Sequence, residues 1–277
     1  MDAEPQPEGP LELLRHVLDL AALELADPGE SGTSAALQRI CRAAVAELGL
    51  AGAAIHVRPG PDRDIVAAAS SVTARTTAEI AFAVGEGPSH DAFATRRPVL
   101  VSDLAARLHR WPGYVSQALE LGVLGVHAFP LQLGATCFGV LDLYLDRSDV
   151  LGQQNLSLAA TFAHAAVLVL LDAVHIDGLP DEGVADGLHR LQDGLGDAFD
   201  HHAEVYQAQG MVMVDLGLPL GDALVRMRAR AFGTETSLVE LSRRIVAGVE
   251  VPNTWDSDPD NKHPGSEDPG LESGAGG

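Results

Sequence analysis

The spacing of the apolar residues changes at Gly49, and this change limits the chain to folds that combine helices with strands. Residues 11–26 and the segment that ends at Leu48 carry apolar side chains every three to four positions, which predicts two amphipathic helices. After Gly49, residues 51–57 and 65–69 are short apolar runs separated by a segment rich in proline and glycine. That pattern predicts a β-hairpin.

A second pair of apolar runs and a long apolar segment continue this part of the chain. Residues 124–131 and 136–145 predict another hairpin with its turn at Gly134, and residues 153–172 predict a strongly apolar helix. Helices that flank antiparallel strands indicate an α+β sandwich of about 150 residues. We expect this domain to follow a disordered leader at residues 1–10.

The chain is strongly acidic, and this charge argues against a nucleic-acid-binding protein. Its formal net charge is −21 and its pI is near 4.7. A local basic face can still bind phosphate, because whole-chain charge governs solubility and steering rather than one contact.

Cys41 and Cys137 provide no disulfide framework, which indicates a reducing compartment. The N-terminus is unlike a signal peptide, and the longest apolar run, residues 165–171, is too short to span a bilayer. We therefore expect a soluble, cytoplasmic protein outside the membrane.

Four motifs in the first two thirds of the chain occur in a characteristic order. They are GEGP at residues 85–88, RPVLVSDL at 97–104, WP at 111–112 and FGVLDLY at 138–144. In this order they resemble a GAF domain, and more closely the GAF subclass that precedes ANTAR domains in actinobacterial regulators. The resemblance covers residues 11–174. It implies an α+β sensor domain with a six-stranded antiparallel sheet flanked by helices, which responds to a small-molecule ligand or a redox signal and forms dimers.

Residues 204–248 contain three helical patterns in which small and apolar residues recur at fixed spacing. The patterns are AxGxxM at residues 208–213, ALxxMRxxA at 223–231 and LxxLSxxIV at 238–246. Together they resemble an ANTAR domain, a three-helix RNA-binding module of bacterial transcription antiterminators. The resemblance implies an all-α ANTAR domain at residues 185–250. Such a domain binds paired hairpins in nascent RNA and prevents a terminator hairpin from forming.

Eight residues of this segment are candidates for RNA contact. Arginine binds phosphate bidentately and stacks on bases, and residues 223–249 contain five arginines against only Glu235 and Glu240 as acids. The alternative for the arginines is a solvated helix face, and the alternative for the small residues is tight helix packing. The candidates are Ala208, Gln209, Gly210, Arg226, Arg228, Arg230, Arg243 and Arg244.

Two positions depart from the family's pattern. Gln209 stands where the family usually has lysine, and His202 stands where it often has arginine. Each lost phosphate contact reduces the affinity for RNA and its salt dependence. Two functions stay open: a signal-responsive RNA-binding antiterminator, and a dimeric protein–protein signalling adaptor whose ANTAR module no longer binds RNA. A DNA-binding helix-turn-helix regulator would need polar base-reading residues on the third helix, which offers mainly two adjacent arginines.

Apolar and small residues at alternating steps of three and four run from Leu188 to Leu216. This heptad-like stripe fits either an ordinary amphipathic helix or a dimeric coiled coil, and we expect a homodimer. A flexible linker is expected at residues 175–184. Residues 251–277 are rich in Asp, Pro, Gly and Ser. We expect them to form a disordered acidic tail that can be deleted without loss of stability.

The sequence contains no evident catalytic constellation, so we expect neither an enzyme nor a cofactor. The glycines at residues 85–87 lack the strand–loop–helix context of a phosphate cradle, and the histidines lack metal-ligand spacing. His90 and His127, in the predicted sensor domain, are either ligand contacts or satisfied polar residues near the sheet. Cys41 and Cys137 are expected to be small core residues, with redox sensing as the alternative for Cys41.

Overall fold

The computed structural model describes residues 9–25, 32–60, 63–148, 150–175, 195 and 202–257. The two predicted N-terminal helices are present as α1 (Pro10–Leu23) and α2 (Gly32–Leu48). Pro10 suits the first turn of α1, because the N–H that proline lacks would have no partner within the helix. The leader and linker predicted from the sequence lie almost wholly outside the described residues.

Both predicted hairpins are confirmed. The first consists of β1 (Gly52–Gly60) and β2 (Arg63–Ala69). The second consists of β4 (Gly125–Leu133) and β5 (Thr136–Leu145), and a short strand β3 (Val99–Val101) pairs with β4. The strands form one antiparallel sheet in the order β2-β1-β5-β4-β3. The described residues therefore form five strands, and the six implied by the resemblance are not reached.

Helices cover both faces of this sheet. Residues of α1, α2 and α6 form one core with alternate residues of the strands, such as Ile55 and Leu141. Residues of α3 and α5 form a second core against the opposite face, with Ala54 and Tyr144. An antiparallel sheet with helices packed on both faces confirms the α+β class. We call residues 9–175 the sheet domain. The helices not yet bounded are α3 (Val72–Val84), α4 (Pro88–Thr95), α5 (Pro112–Glu120) and α6 (Gln153–His175).

Three further helices follow, which we call the C-terminal helices: α7 (Ala203–Leu216), α8 (Leu220–Gly233) and α9 (Leu238–Val246). The Ser237 hydroxyl caps α9 by accepting the N–H of Glu240 at 3.1 Å. Their apolar faces meet in a separate core, which also takes in Phe82 of the sheet domain. The all-α character predicted for this region is thus present.

The heptad-like stripe is turned into this core along α7. Val205, Gln209 and Val212 are buried against the other helices of the same chain. These positions are therefore not available to a partner helix, which favours the ordinary amphipathic helix for this part of the stripe. Leu188 and Leu191 lie outside the described residues, and the homodimer stays a prediction.

The first part of the tail that was expected to be disordered, residues 252–257, is ordered in the structure. Pro252–Ser257 forms a 3-10 helix, and Trp255 is only 2% exposed in the core of the C-terminal helices. Its indole Nε1 donates to Glu250 Oε1 at 3.0 Å. A single large aromatic residue carries enough apolar surface to order a short polar segment. Residues 258–277 lie outside the described residues.

Judged by length and composition alone, α6 is able to cross a membrane. The helices α7 and α8 would together also be long and apolar enough if they formed one span, but they meet at an angle with a bend of 103°. In the structure α6 packs on the sheet and buries Ala159, Phe162 and Leu170 in the core. The apolar residues on its sheet-facing side are therefore explained by their place in the core of the sheet domain.

Candidate functional site

Two polar side chains, His56 and Asp142, lie buried on the face of the sheet that α3 and α5 cover. Successive side chains of a strand point to opposite faces, so both alternate with apolar neighbours such as Ile55 and Leu141, which face α2 and α6. Ala54 pairs with Asp142 across β1 and β5. This register brings His56 Nε2 to 3.2 Å from Asp142 Oδ2.

His56 also contacts a second carboxylate. Its Nδ1 lies 3.4 Å from Asp64 Oδ1, and Arg58 Nη2 lies 2.7 Å from Asp64 Oδ2. Burial lowers the pKa of His56, but the carboxylates of Asp142 and Asp64 beside both ring nitrogens outweigh it and raise the pKa to about 9. Burial likewise raises the pKa of Asp64, but His56 and Arg58 hold it well below its usual range. His56 is therefore an imidazolium at neutral pH.

A serine and two tyrosines complete the buried cluster. Ser89, in the first turn of α4, donates its hydroxyl to Asp142 Oδ2. In a catalytic triad the serine hydroxyl bonds the histidine, whereas here it bonds the carboxylate that the histidine also contacts. Ser89 therefore has no hydrogen bond to a histidine that could act as its general base. Burial raises the pKa of Tyr114 and of Tyr144.

We expect the free energy of unfolding to fall as pH rises from about 6.5 to about 9. The pKa of His56 is raised from 6.5 to about 9 by folding. Its stabilisation is therefore complete below the unfolded pKa and lost above the folded one, and it amounts to about 3 kcal/mol. Denaturant titrations across this pH range measure the slope. His56→Asn should flatten the profile, and an equal slope in both proteins would contradict the assignment.

Next to this cluster, a cavity of about 160 Å³ lies between the sheet domain and the C-terminal helices. The sheet contributes residues from the ends of β1 and β2, and α4 contributes His90. The start and middle of α8 close the other side. Burial lowers the pKa of His90 to about 3, so its imidazole is neutral. The lining residues are Arg58, Arg63, Asp64, His90, Gly221, Leu224 and Arg228.

Arg228 links α8 to the sheet domain. Its Nη2 donates to the carbonyl oxygen of Phe82 at 2.6 Å, and its guanidinium carbon lies 5.6 Å from the centre of the Phe82 ring. Burial lowers the pKa of Arg228 to about 10. From the sequence we expected this side chain to reach solvent and RNA. The structure instead places it half-buried in the contact between the two parts of the chain.

Gly85, the first residue of the GEGP motif, makes room for that guanidinium. It ends α3 with φ +74°, a left-handed conformation that favours glycine. A Cβ atom at this position would lie 2.7 Å from Arg228 Nη1. The motif therefore provides space for a residue that lies far along the chain.

Phe82 is the centre of the same contact. It projects from α3 into the core of the C-terminal helices and is 3% exposed. Its ring lies 4.6 Å from that of His202 and 6.4 Å from that of Tyr206. The Tyr206 hydroxyl donates to the carbonyl oxygen of Asp64 at 2.5 Å. His202, where the family often has arginine, thus packs against the sheet domain.

Three other candidate arginines are engaged by acidic side chains. Arg230 Nε and Arg244 Nη2 donate to the two oxygens of Glu250, at 3.0 and 2.9 Å. Arg243 Nε donates to Glu204 Oε2 at 2.8 Å. Arg243 and Arg244 keep 59% and 41% of their side-chain surface exposed. Arg226, the fifth arginine of the set, is half-buried on α8.

The three candidates on α7 have structural roles in this conformation. Ala208 and Gln209 are buried, and Gln209 Nε2 donates to the carbonyl oxygen of Leu220 at 2.8 Å. Gly210 is half-buried, and a Cβ atom there would meet nothing within 4 Å, so no helix packs closely against it. A lysine at position 209, as the family usually has, would bury an ammonium group and lose this hydrogen bond.

His56, Asp64 and Asp142 were not among the site residues predicted from the sequence. The available signal was a polar residue inside each apolar run of β1 and β5, which is uncommon unless the group is paired. His90 lies on the cavity, whereas His127 is buried in β4, where burial lowers its pKa, and it does not line the cavity. In the described part of the chain, no three or more His, Cys, Asp or Glu side chains are grouped so that they could hold a metal ion.

Comparison with known proteins identifies the sheet domain. The family described as GAF domain matches residues 30–170, just over half of the chain. The GAF domain of a phosphoenolpyruvate-protein phosphotransferase from Acinetobacter is 13% identical, with a TM-score of 0.45, and the match covers 62% of this chain and 97% of that one. Free methionine-R-sulfoxide reductase from Neisseria meningitidis, solved with its substrate, is 17% identical with a TM-score of 0.43, covering 61% and 92%. None of the curated proteins compared with the chain is significantly similar to it.

Proposed function

Since this chain belongs to the GAF domain family, we propose that its sheet domain senses a signal and thereby controls RNA binding by the C-terminal helices. In this proposal the helices act as an ANTAR module of a cytoplasmic antiterminator. They bind hairpins in nascent RNA and so prevent the terminator hairpin from forming. A homodimer would place two modules side by side on a paired-hairpin target.

The position of Arg228 is the observation that carries this proposal. Arg228 matches the arginine of the ANTAR motif, and the sheet domain holds its guanidinium through the Phe82 carbonyl and the space at Gly85. The same contact also covers His202 and Tyr206. RNA contact by Arg228 would require the C-terminal helices to separate from the sheet domain. A signal that changes this contact would therefore change RNA affinity.

We call the structure in which the C-terminal helices contact the sheet domain the docked form. Other groups on these helices remain exposed in it and are available to RNA. Arg243 and Arg244 are partly exposed on α9, and Phe232 on α8 is 85% exposed. Arginine can bind phosphate while an exposed aromatic ring stacks on an unpaired base. We propose that these groups give weak binding in the docked form and that Arg228 adds to it after release.

We expect Phe82→Ala to raise the affinity for a paired-hairpin RNA about tenfold, because loss of the buried ring weakens the packing of the C-terminal helices on the sheet domain, which withholds Arg228. Adding Arg228→Ala to this variant should weaken binding by about 1–3 kcal/mol. Arg243→Ala should reduce the salt dependence by about one phosphate contact. Titrations by mobility shift at two salt concentrations, against the hairpin and a scrambled RNA, measure all three.

Val72→Ala is the matched control, because Val72 lies on the same helix as Phe82 but is 83% exposed. It should leave RNA affinity unchanged. The ion pairs of Arg230, Arg243 and Arg244 with acidic residues favour the second candidate, a protein–protein signalling adaptor. If neither the native chain nor Phe82→Ala distinguishes the hairpin from the scrambled RNA, the antiterminator proposal fails and the adaptor replaces it.

A further inference from the structure

The cavity between the sheet domain and α8 contains more positive than negative charge. Among the described residues, three guanidinium groups line it, those of Arg58, Arg63 and Arg228, against one carboxylate, that of Asp64. Asp64 already has cationic neighbours at both carboxylate oxygens. Its Oδ2 lies 2.7 Å from Arg58 Nη2, and its Oδ1 lies 3.4 Å from His56 Nδ1. The lining therefore has an excess of cationic groups that face the same small space.

Two of these cations, Arg63 and Arg228, form no ion pair in the part of the chain that the structure describes. Arg228 Nη2 donates to the Phe82 carbonyl, but its Nε is buried with no hydrogen-bond partner among the described residues. A buried donor without an acceptor, on a charged group, costs free energy that an anion would recover. Arg63 lies at the edge of the cavity and is exposed.

The start of α8 adds a second source of positive potential. Gly221 and Leu224 line the cavity, and α8 begins at Leu220. The N-cap residue Pro219 makes no side-chain capping bond, so the first N–H groups of the helix are not satisfied by a cap. Helix N-termini of this kind favour bound anions. The side chain of Asp222 in the same turn is exposed and does not line the cavity.

We propose that this cavity binds a small phosphate-bearing anion that bridges Arg63 of the sheet domain and Arg228 of α8. Guanidinium groups bind phosphate through paired, charge-assisted hydrogen bonds. The cavity volume of about 160 Å³ is below that of a drug-sized site, which suits inorganic phosphate or the phosphate group of a small metabolite. An anion held by both parts of the chain stabilises the docked form.

The effect of the anion on RNA binding rests on the proposed function, whereas binding of the anion to the cavity does not. If docking withholds Arg228 from RNA, the anion is the signal that keeps the protein in its low-affinity form, and its loss releases the C-terminal helices. Anion binding itself is measured without RNA. Failure of the RNA titration therefore leaves the binding result standing, and failure of binding leaves the RNA result standing.

The test uses the full chain, with inorganic phosphate and glycerol phosphate as probes at constant ionic strength. Both the melting temperature and the heat of titration should show saturable binding. Arg63→Ala should weaken it at least about tenfold, as expected for loss of a charge-assisted contact. Arg107→Ala is the matched control, because Arg107 is exposed and does not line the cavity, and it should bind as the native chain does. Arg63 is exposed, so its replacement should not unfold the protein.

The outcomes separate the two sources of phosphate. Tighter binding of glycerol phosphate assigns the site to a metabolite, and tighter binding of inorganic phosphate assigns it to the free ion. Equal shifts with chloride at the same ionic strength, no saturable binding, or the same affinity in the native chain and in Arg63→Ala would each overturn the proposal.

Discussion

Replacing Phe82 with alanine is expected to detach the C-terminal helices from the sheet domain. The buried ring joins α3 to the core of those helices and packs against His202 and Tyr206. Loss of a buried phenylalanine costs about 3–5 kcal/mol, and here the cost falls on the contact between the two parts of the chain. The two tryptophans report on the parts separately, because Trp111 lies in the sheet domain and Trp255 in the helical core. Denaturation followed by each tryptophan, with the other replaced by phenylalanine, should show Trp255 unfolding first.

A glycine pair controls for the docking contact independently of the Phe82 ring. Gly85 and Gly122 both have left-handed φ values, +74° and +80°. Alanine at either position costs about 1–2 kcal/mol in backbone strain. At Gly85 the new Cβ atom also collides with Arg228, whereas at Gly122 it meets nothing within 4 Å. Gly85→Ala should therefore lower the Trp255 transition and Gly122→Ala should not. A single shared transition in Phe82→Ala, with the native midpoint, would show that the ring does not hold the helices in place.

Replacing Trp255 with alanine is the second change with a large expected effect. The indole is 2% exposed, and Glu250 joins it to Arg230 and Arg244. Loss of a buried tryptophan costs about 3–5 kcal/mol, and the pairing of both arginines with Glu250 loses its packed surroundings. Thermal unfolding of the C-terminal helices, followed by circular dichroism, should show a clear fall in melting temperature.

Truncation separates the buried tryptophan from the rest of the C-terminus. A chain that ends at Val251 should be destabilised as Trp255→Ala is, because both lack the indole. A chain that ends at Ser257 keeps it and should unfold as the full chain does. Equal melting temperatures for the two truncated chains would mean that Trp255 contributes nothing to the core and that the original expectation of a disposable tail was right.

Local patterns in the sequence determined the elements and their class. The change of period at Gly49 predicted two helices followed by a hairpin, and α2, β1 and β2 are present at those places. The apolar segment before residue 175 predicted α6. These predictions succeed because the repeat of apolar residues reports which face of an element is buried, and this depends only on neighbours in the chain.

The partner that covers a face was decided by the tertiary structure. Arg228 borders an apolar stripe, and the sequence indicated solvent and RNA, whereas its guanidinium contacts Phe82, which lies 146 residues earlier. A long amphipathic side chain can lie along an apolar surface and still place its charge on a polar group, so its neighbours in sequence do not fix its direction. Trp255 was assigned to the disordered tail because its neighbours in sequence are polar. Its burial depends on the helices that cover it, and these become visible only in the tertiary structure.

The polar cluster shows the same division at the candidate site. The sequence determined that His56 and Asp142 stand inside apolar strands, and their alternation with Ile55 and Leu141 sets them on the opposite face of the sheet. Their pairing with each other and with Asp64, and the cavity beside them, required strands from distant parts of the chain to meet in one register. Free energies of charge pairing depend on distances of a few ångströms and on burial, and both exist only once the sheet and α8 have packed together.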